Sequence, residues 1–308
     1  LYVATLLFPC YSIAQSADVK PTTERRIALV IGNSAYKFSP LANPGNDARA
    51  IAAALRDTGF TVIEKRNLGQ AAMRLAIREF GDEVAKGGVG LFYYAGHGIQ
   101  FKGKNYLIPV GSDIQREDEI EDQSVDVNLV LQKFGSAKNT LNILILDACR
   151  NNPFTGSMGS LPTGLASMDA PSGTLIAFST APGYSASDGI GDNSLYTQSF
   201  VAAIKEPALR LEDVFKKVRA SVRKDSGGKQ IPWENTSLES DFYFRPPDLT
   251  KIAAQEADRE KAIHEKIERA VIAALKKREA ELAAAQASKV EQETKAAKEA
   301  VDRLTKEL

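Results

Sequence analysis

Histidine and cysteine are scarce in this sequence of 308 residues, which contains two of each, together with three methionines and one tryptophan. Basic and acidic residues each number 39, so the formal net charge is zero. A chain without a basic excess lacks the electrostatic footprint of a nucleic-acid-binding protein, and we expect no nucleic-acid partner. So few histidines and cysteines also leave too few ligands for a zinc site.

Apolar runs long enough to span a membrane, about 20 residues, are missing as well. The first ten residues, LYVATLLFPC, are mostly apolar, and the small-x-small triplet Ala14-Gln15-Ser16 follows them. This pattern is typical of the core and cleavage site of a secretory signal. We therefore predict a signal peptide over residues 1–16 and a periplasmic or secreted location. A lipid anchor on Cys10 is the alternative, and the adjacent Pro9 disfavours it.

Removal of that signal would leave Cys149 as the single cysteine of the mature chain. A lone thiol in an oxidising compartment cannot form an internal disulfide. Cys149 is then either a reactive thiol or an inert buried cysteine at the end of an apolar strand.

Five apolar, β-rich runs predict strands, and their nearly continuous hydrophobicity is typical of a parallel sheet that is buried on both faces. They span residues 25–36, 60–67, 89–98, 141–150 and 173–180. We also predict a small hairpin over residues 98–110, turning at 102–104, and a final strand within 240–245.

Helical periodicity separates these runs. The predicted helices cover residues 46–59, 70–86, 125–134, 194–205 and 211–223. Alternation of strands and helices predicts an α/β fold with an open, mostly parallel sheet and helices on both faces.

The composition changes sharply after residue 246. Residues 249–308 contain no glycine, proline, phenylalanine, tyrosine or tryptophan and are rich in Ala, Glu, Lys and Arg. We predict one long helix here, either a solvated single helix or a coiled coil through which the chain self-associates or binds a partner. The globular domain is then residues 24–246.

His97 and Cys149 are the single histidine and single cysteine of that globular part, since His264 lies in the helical tail. Both follow predicted parallel strands, and the carboxyl edge of an open α/β sheet is where ligands and chemistry lie. A thiolate is the nucleophilic form of cysteine, and an adjacent imidazole can take its proton and return it to a leaving amine. The other interpretation is two unrelated residues that end neighbouring strands.

Gly98 follows the candidate base directly. A glycine there lets its backbone N–H approach a reacting carbonyl oxygen without a side chain in the way. Together with the N–H of Cys149 it would form an oxyanion hole.

Four motifs, found in the family's order, resemble those of the caspase-like cysteine peptidases, and most closely the bacterial caspase-like, paracaspase and metacaspase types. They are IALVIGNSAY, LANPGNDARAIAAALRDTGF, LFYYAGHG and LILDACRNNPF, between residues 27 and 154. The resemblance covers about residues 24–245 and implies a bacterial protein with the caspase-like fold. It also implies that His97 and Cys149 form the catalytic dyad and that Gly98 contributes to the oxyanion hole.

The same resemblance bears on substrate specificity. Caspases proper cut after Asp and usually have Gln two residues before the cysteine, whereas paracaspases and metacaspases have Asp there and cut after Arg or Lys. This chain has Asp147 at that position, and Asp47 matches a second acid of the pocket that binds the P1 side chain. Two carboxylates in one pocket can both accept charge-assisted hydrogen bonds from the guanidinium of an Arg side chain. Asp47 has an alternative role as an acid favoured by a helix N-terminus, and Asp188 is a candidate third acid.

We expect no required cofactor, and calcium bound by an acidic run is the alternative. The acidic run at residues 116–123 lacks the alternating spacing of calcium ligands and is predicted to be a solvated loop. The loop at 150–172 contains no Lys, and its single Arg150 is too close to Cys149 for self-cleavage, so we predict activity without processing there. The basic residues of the tail are better self-cleavage sites.

The sequence thus predicts a cysteine endopeptidase that cleaves peptides and proteins after Arg, then Lys. The alternative is a caspase-fold interaction module with little turnover, which assembles through its helical tail.

Overall fold

The computed structural model describes residues 24–137, 139–149, 164–181 and 191–307. The predicted signal peptide at 1–16, Arg150 and Asp188 lie outside these residues. The chain divides into two units, the first ending at Pro246 and the second beginning at Pro247.

Eight strands are described in the first unit. They are β1 (Arg26–Gly32), β2 (Thr61–Arg66), β3 (Gly88–Phe101), β4 (Lys104–Leu107), β5 (Val125–Asp126), β6 (Asn139–Cys149), β7 (Thr174–Phe178) and β8 (Trp233–Thr236).

Six helices of the first unit lie between or after these strands. They are α1 (Pro44–Asp57), α2 (Gln70–Val84), α3 (Ile120–Gln123), α4 (Asn128–Ser136), α5 (Leu195–Ile204) and α6 (Leu211–Asp225), with a 3-10 turn at Glu117–Glu119.

The main sheet has the strand order β2-β1-β3-β6-β7-β8. Every neighbouring pair from β2 to β7 is parallel, and β8 joins the edge of β7 in the antiparallel sense. β3 continues past the sheet and forms an antiparallel hairpin with β4, which pairs in turn with β5. The hairpin turns at Lys102 and Gly103, within the turn predicted at 102–104, and both residues have positive φ.

Side chains from alternate positions of the strands enter two large cores, one on each face of the sheet. Helices α1, α5 and α6 pack their buried residues on one face, and α2 and α4 pack theirs on the other. A third, smaller cluster lies under the hairpin and includes Tyr36, Ile99 and Tyr106. The predicted fold class, a mostly parallel sheet covered by helices on both faces, is therefore confirmed.

Some of the predicted elements were wrong. No strand forms over residues 240–245, where a single bridge joins Arg210 and Tyr243. The alternating aromatic residues Phe242 and Phe244 are instead buried in the core beside Phe60. The last strand is β8, which the sequence analysis missed because its residues are mostly polar and only partly buried.

Two smaller differences concern residues 116–134. The acidic run, predicted as a loop, forms the 3-10 turn and α3, and Arg116 makes ion pairs with Asp118 and Glu119. The helix predicted from residue 125 begins at Asn128, because residues 125–126 pair with β4 as strand β5.

The second unit contains one helix, α7 (Leu249–Glu307), of 59 residues. The predicted long helix is thus confirmed, and a coiled-coil partner stays a prediction. In the described parts of the chain, no helix combines the length and apolar character needed to cross a membrane.

Candidate active site

The carboxyl ends of β3 and β6 bring His97 and Cys149 together. The two strands are adjacent and parallel, and their register pairs His97 with Cys149 as the last of a long series of partners. Neighbouring strands lie about 4.8 Å apart, so the backbones of these two residues are directly adjacent. The residues that the sequence analysis paired therefore lie side by side at one edge of the sheet.

His97 is buried, with 5% of its surface exposed. Its Nε2 atom lies 2.7 Å from the backbone carbonyl oxygen of Ser39. A carbonyl can only accept a hydrogen bond, so Nε2 carries the proton, and in the neutral ring the lone pair is on Nδ1. The imidazole is thus held in the tautomer whose Nδ1 can accept a proton.

Ser39 adopts a left-handed backbone conformation, with φ of 52°. A residue other than glycine holds such a conformation at a cost of about 1 kcal/mol or more, and such strain often lies at functional sites. Here the strained residue is the one whose carbonyl accepts the hydrogen bond from His97.

Two tyrosine hydroxyls hold the backbone of His97. The hydroxyl of Tyr36 accepts a hydrogen bond from the His97 N–H at 3.0 Å, and that of Tyr94 donates to the His97 carbonyl at 2.9 Å. The two hydroxyls lie 3.1 Å apart, and the Tyr36 ring packs against the imidazole at 4.4 Å between centroids. A Cβ at Gly96, where φ is 153°, would lie within 2.7 Å of both hydroxyl oxygens. Glycine is therefore required at the position before the histidine.

Gly98 lies at the start of the hairpin, opposite Leu107. The carbonyl of His97 accepts a hydrogen bond from Ile108 N–H at 3.0 Å. Since hydrogen-bonded and non-hydrogen-bonded pairs alternate in an antiparallel ladder, the pair of Gly98 and Leu107 does not exchange hydrogen bonds. The N–H of Gly98 is consequently directed away from β4.

Asp47 and Asp147 are both buried, with 1% and 8% of their surfaces exposed. Asp47 is in the first turn of α1, and Asp147 precedes Cys149 by two residues on β6. Asp47 Oδ1 accepts hydrogen bonds of 2.9 Å from the Asn193 side-chain amide and from the Ser194 backbone N–H. Ser194 therefore links the first acid to the amino end of α5.

The second acid is bound by the same segment. Asp147 Oδ2 accepts a hydrogen bond of 2.7 Å from the Ser194 hydroxyl, and longer ones of 3.3 Å from the hydroxyls of Thr197 and Tyr93. The two acids that the sequence analysis assigned to one pocket thus share Ser194 as a hydrogen-bond donor.

Burial raises the pKa of Asp147, and the hydrogen bonds from Ser194, Thr197 and Tyr93 oppose that rise by stabilising the carboxylate. Burial also raises the pKa of the Tyr93 and Tyr196 phenols, and the nearby Asp147 charge adds to it. Asp147 is largely removed from solvent, so an incoming cationic group would interact strongly with its carboxylate.

Several residues of this site were not found from the sequence. Tyr36, Tyr94 and the Ser39 carbonyl support His97, while Asn193 and Ser194 support the acids. Ser194 lies at the start of a predicted helix, where serine is typical of a helix cap, and nothing in that pattern indicates a bond to two distant acids. Within the described residues, no group of three or more His, Cys, Asp or Glu side chains is arranged to hold a metal ion.

Comparison with known proteins agrees with this architecture. A family model described as a caspase domain matches residues 25–243. Mucosa-associated lymphoid tissue lymphoma translocation protein 1 from Homo sapiens is 33% identical over 137 residues, which is 44% of this chain and 16% of that protein. Caspase-1 from Mus musculus is 27% identical over 249 residues, 73% of this chain and 60% of the relative.

This chain therefore belongs to the caspase-domain family of peptidases. It spans less than two thirds of the length of either relative.

Proposed function

We propose that the chain is a cysteine endopeptidase that uses His97 and Cys149 and cleaves protein substrates after Arg, then Lys. The observation that carries this proposal is the register pairing of His97 with Cys149 at the carboxyl edge of the sheet. The hydrogen bond from His97 Nε2 to the Ser39 carbonyl supports it, because it leaves Nδ1 as the basic nitrogen.

In the first half of the reaction, Nδ1 of His97 accepts the proton of the Cys149 thiol. The thiolate forms a bond to the scissile carbonyl carbon, and the carbonyl oxygen becomes an oxyanion that accepts hydrogen bonds from the N–H groups of Gly98 and Cys149. The intermediate collapses as the C–N bond breaks. His97 returns its proton to the leaving amine, and an acyl-thioester remains on Cys149.

Water completes the cycle. His97 removes a proton from a water molecule, whose oxygen attacks the thioester carbonyl, and the C–S bond then breaks. His97 returns that proton to the departing sulfur, so the Cys149 thiol is regenerated, and the product carries the new carboxyl group of the P1 residue. Each half of the reaction thus uses the imidazole once as a base and once as an acid.

Asp47 and Asp147 are proposed to bind the P1 side chain. A planar guanidinium can donate to two carboxylates at once, and Arg makes bidentate contacts that Lys cannot, which is the physical reason to expect Arg before Lys. The same buried acids would repel an Asp side chain. Asp188 stays a proposed third acid and lies outside the described residues.

The test is release of a fluorophore from short peptides ending in Arg, Lys or Asp, by the protein and by its Cys149→Ala variant, with calcium and with a chelator. We expect cleavage after Arg and Lys that is lost in the variant. Cleavage after Asp would preserve the dyad and refute the roles of the two acids.

A second proposal is a role in assembly through α7. The exposed apolar residues of that helix, among them Ile263, Ile267 and Leu275, are the observation that favours it. A scaffold would keep its function in the Cys149→Ala variant, whereas an enzyme would lose it.

A further inference from the structure

We propose that Ser194 is the positioning residue that joins Asp47 and Asp147 into a single receptor for a basic side chain. The inference rests on the proposed peptidase function and goes beyond it, because it assigns the orientation of the two acids to a neutral residue on a third element. Ser194 belongs to neither of the acids' own elements, since it precedes α5.

The contacts of Ser194 define this role. Its backbone N–H donates to Asp47 Oδ1 at 2.9 Å, and its hydroxyl donates to Asp147 Oδ2 at 2.7 Å. The same hydroxyl oxygen accepts a hydrogen bond of 3.0 Å from Thr197 N–H, as the cap of α5. A serine hydroxyl has one proton, so a donated and an accepted bond together fix its direction. With 3% of its surface exposed, the residue is locked in the protein interior.

Two buried carboxylates that belong to separate elements require hydrogen-bond donors to hold them close together. Like charges disfavour each other in a dry environment, and each carboxylate is stabilised there by directed N–H and O–H donors. The amino end of α5, which has ten residues, adds the positive end of its dipole beside both carboxylates. Asn193 and Thr197 reinforce one acid each, whereas Ser194 reaches both.

This arrangement predicts a specific effect on substrate binding. The donors of Ser194 are neutral, so they orient the carboxylates without cancelling their charge, which remains available to a guanidinium. Loss of the hydroxyl would remove a hydrogen bond to a charged group and let Asp147 turn away. His97 and Cys149 do not depend on that hydrogen bond, so the chemistry itself should be spared.

The experiment compares Ser194→Ala, Ser194→Thr and the control Ser221→Ala, a serine on α6 whose hydroxyl donates to Asp225. Three quantities are measured for each: KM and kcat with an Arg-terminated peptide, the alkylation rate of Cys149 by iodoacetamide, and binding of agmatine, an arginine analogue, to the same variants in a Cys149→Ala background.

We expect Ser194→Ala to raise KM and weaken agmatine binding by about tenfold or more, the effect of losing a hydrogen bond to a charged group. Cys149 alkylation should stay unchanged, Ser194→Thr should restore binding through its hydroxyl, and Ser221→Ala should match the wild type. An unchanged KM and agmatine affinity in Ser194→Ala would overturn the proposal. An equal loss of kcat, alkylation and binding would also overturn it, since that result marks general damage to the fold.

The outcome also separates this inference from the proposed function. Agmatine binding that depends on the Ser194 hydroxyl, in a protein that cleaves no peptide, would support the receptor and refute the peptidase. Cleavage after Arg with no effect of Ser194→Ala would support the peptidase and refute the positioning role.

Discussion

His97 and Cys149 occupy partner positions on two adjacent parallel strands, β3 and β6. The same register pairs Ala95 with Asp147, so the proposed nucleophile and the proposed P1-binding acid are two residues apart on one strand. Side chains two residues apart on a regular strand share a face. The proposed nucleophile and one of the proposed P1-binding acids therefore lie on a single strand, near its carboxyl end.

Asp147→Asn is expected to lower kcat/KM for an Arg-terminated peptide by about a hundredfold, the effect of losing a charged hydrogen bond in a dry site. The side-chain carbonyl of the asparagine can still accept hydrogen bonds from the donors around this position. The measurement is steady-state kinetics, with Asp82→Asn on the exposed side of α2 as the control. Full activity in Asp147→Asn would contradict the assignment.

The stability of the wild type relative to Asp147→Asn is also expected to depend on pH. Burial raises the pKa of Asp147, so over the interval between the unfolded and folded pKa values the folded state holds a proton that the unfolded state has released. Wild-type stability should therefore fall, relative to Asp147→Asn, as the pH rises from about 4 through the folded pKa. Thermal melting of both proteins between pH 4 and pH 7 measures this difference. A relative gain of the wild type with rising pH would show that the pKa is lowered instead.

Tyr36→Phe tests how His97 is held. The change keeps the ring contact with the imidazole and removes the hydroxyl that bonds His97 N–H, Tyr94 and Ile108. We expect kcat to fall about tenfold, KM to stay unchanged, and the free energy of unfolding to fall by about 1–2 kcal/mol. Tyr106→Phe, in the same hydrophobic cluster, is the matched control. A change in KM alone would place Tyr36 in substrate binding rather than in the support of the base.

Gly98→Ala tests the proposed oxyanion hole. An added Cβ would lie 3.1 Å from Ala148 Cβ and 3.2 Å from Leu165 Cδ2, which is tight enough that either these neighbours or the Gly98 backbone must give way slightly. A displaced N–H should lower kcat by about a hundredfold, as expected for one oxyanion donor. Gly135→Ala on α4, where the added Cβ meets nothing within 4 Å, is the control and should keep full activity. An active Gly98→Ala enzyme would exclude this N–H from the reaction.

Truncation after Pro246 should leave peptide cleavage within about twofold of the full chain, because every described residue of the candidate site is in the first unit. Sedimentation of both forms tests whether α7 mediates self-association, which the full chain should show and the truncated form should lose. A truncated protein that folds but cleaves no peptide would assign α7 a part in activity.

The sequence predicted the strands of the main sheet best where hydrophobicity is continuous. β1, β3 and β6 are buried on both faces, so each residue contributes to the pattern. β8 was missed because an edge strand with exposed, polar residues has no such pattern. Phe242 and Phe244 misled the prediction because their alternation comes from packing in the core rather than from strand pairing.

The residues of the candidate site were easiest to predict where their residue type is rare. Histidine and cysteine are rare in this chain, which singled out His97 and Cys149. Asp147 was then found by its position two residues before Cys149 on the same strand. Ser194 and Tyr36 belong to common residue types, and their contacts join segments far apart in sequence, such as the pair of Ser194 and Asp47. Hydrogen bonds between distant segments leave no periodic pattern in the sequence. They can therefore be recognised only from the folded structure.

Covalent labelling tests the central claim most directly. A peptidyl acyloxymethyl ketone alkylates a thiolate as its carboxylate leaves, and mass spectrometry identifies the modified residue. Our account predicts that a peptide ketone ending in Arg modifies Cys149, that the matching Asp ketone reacts much more slowly, and that His97→Ala abolishes the reaction. Equal rates for the two ketones, or modification that survives His97→Ala unchanged, would contradict a His97–Cys149 peptidase specific for basic residues.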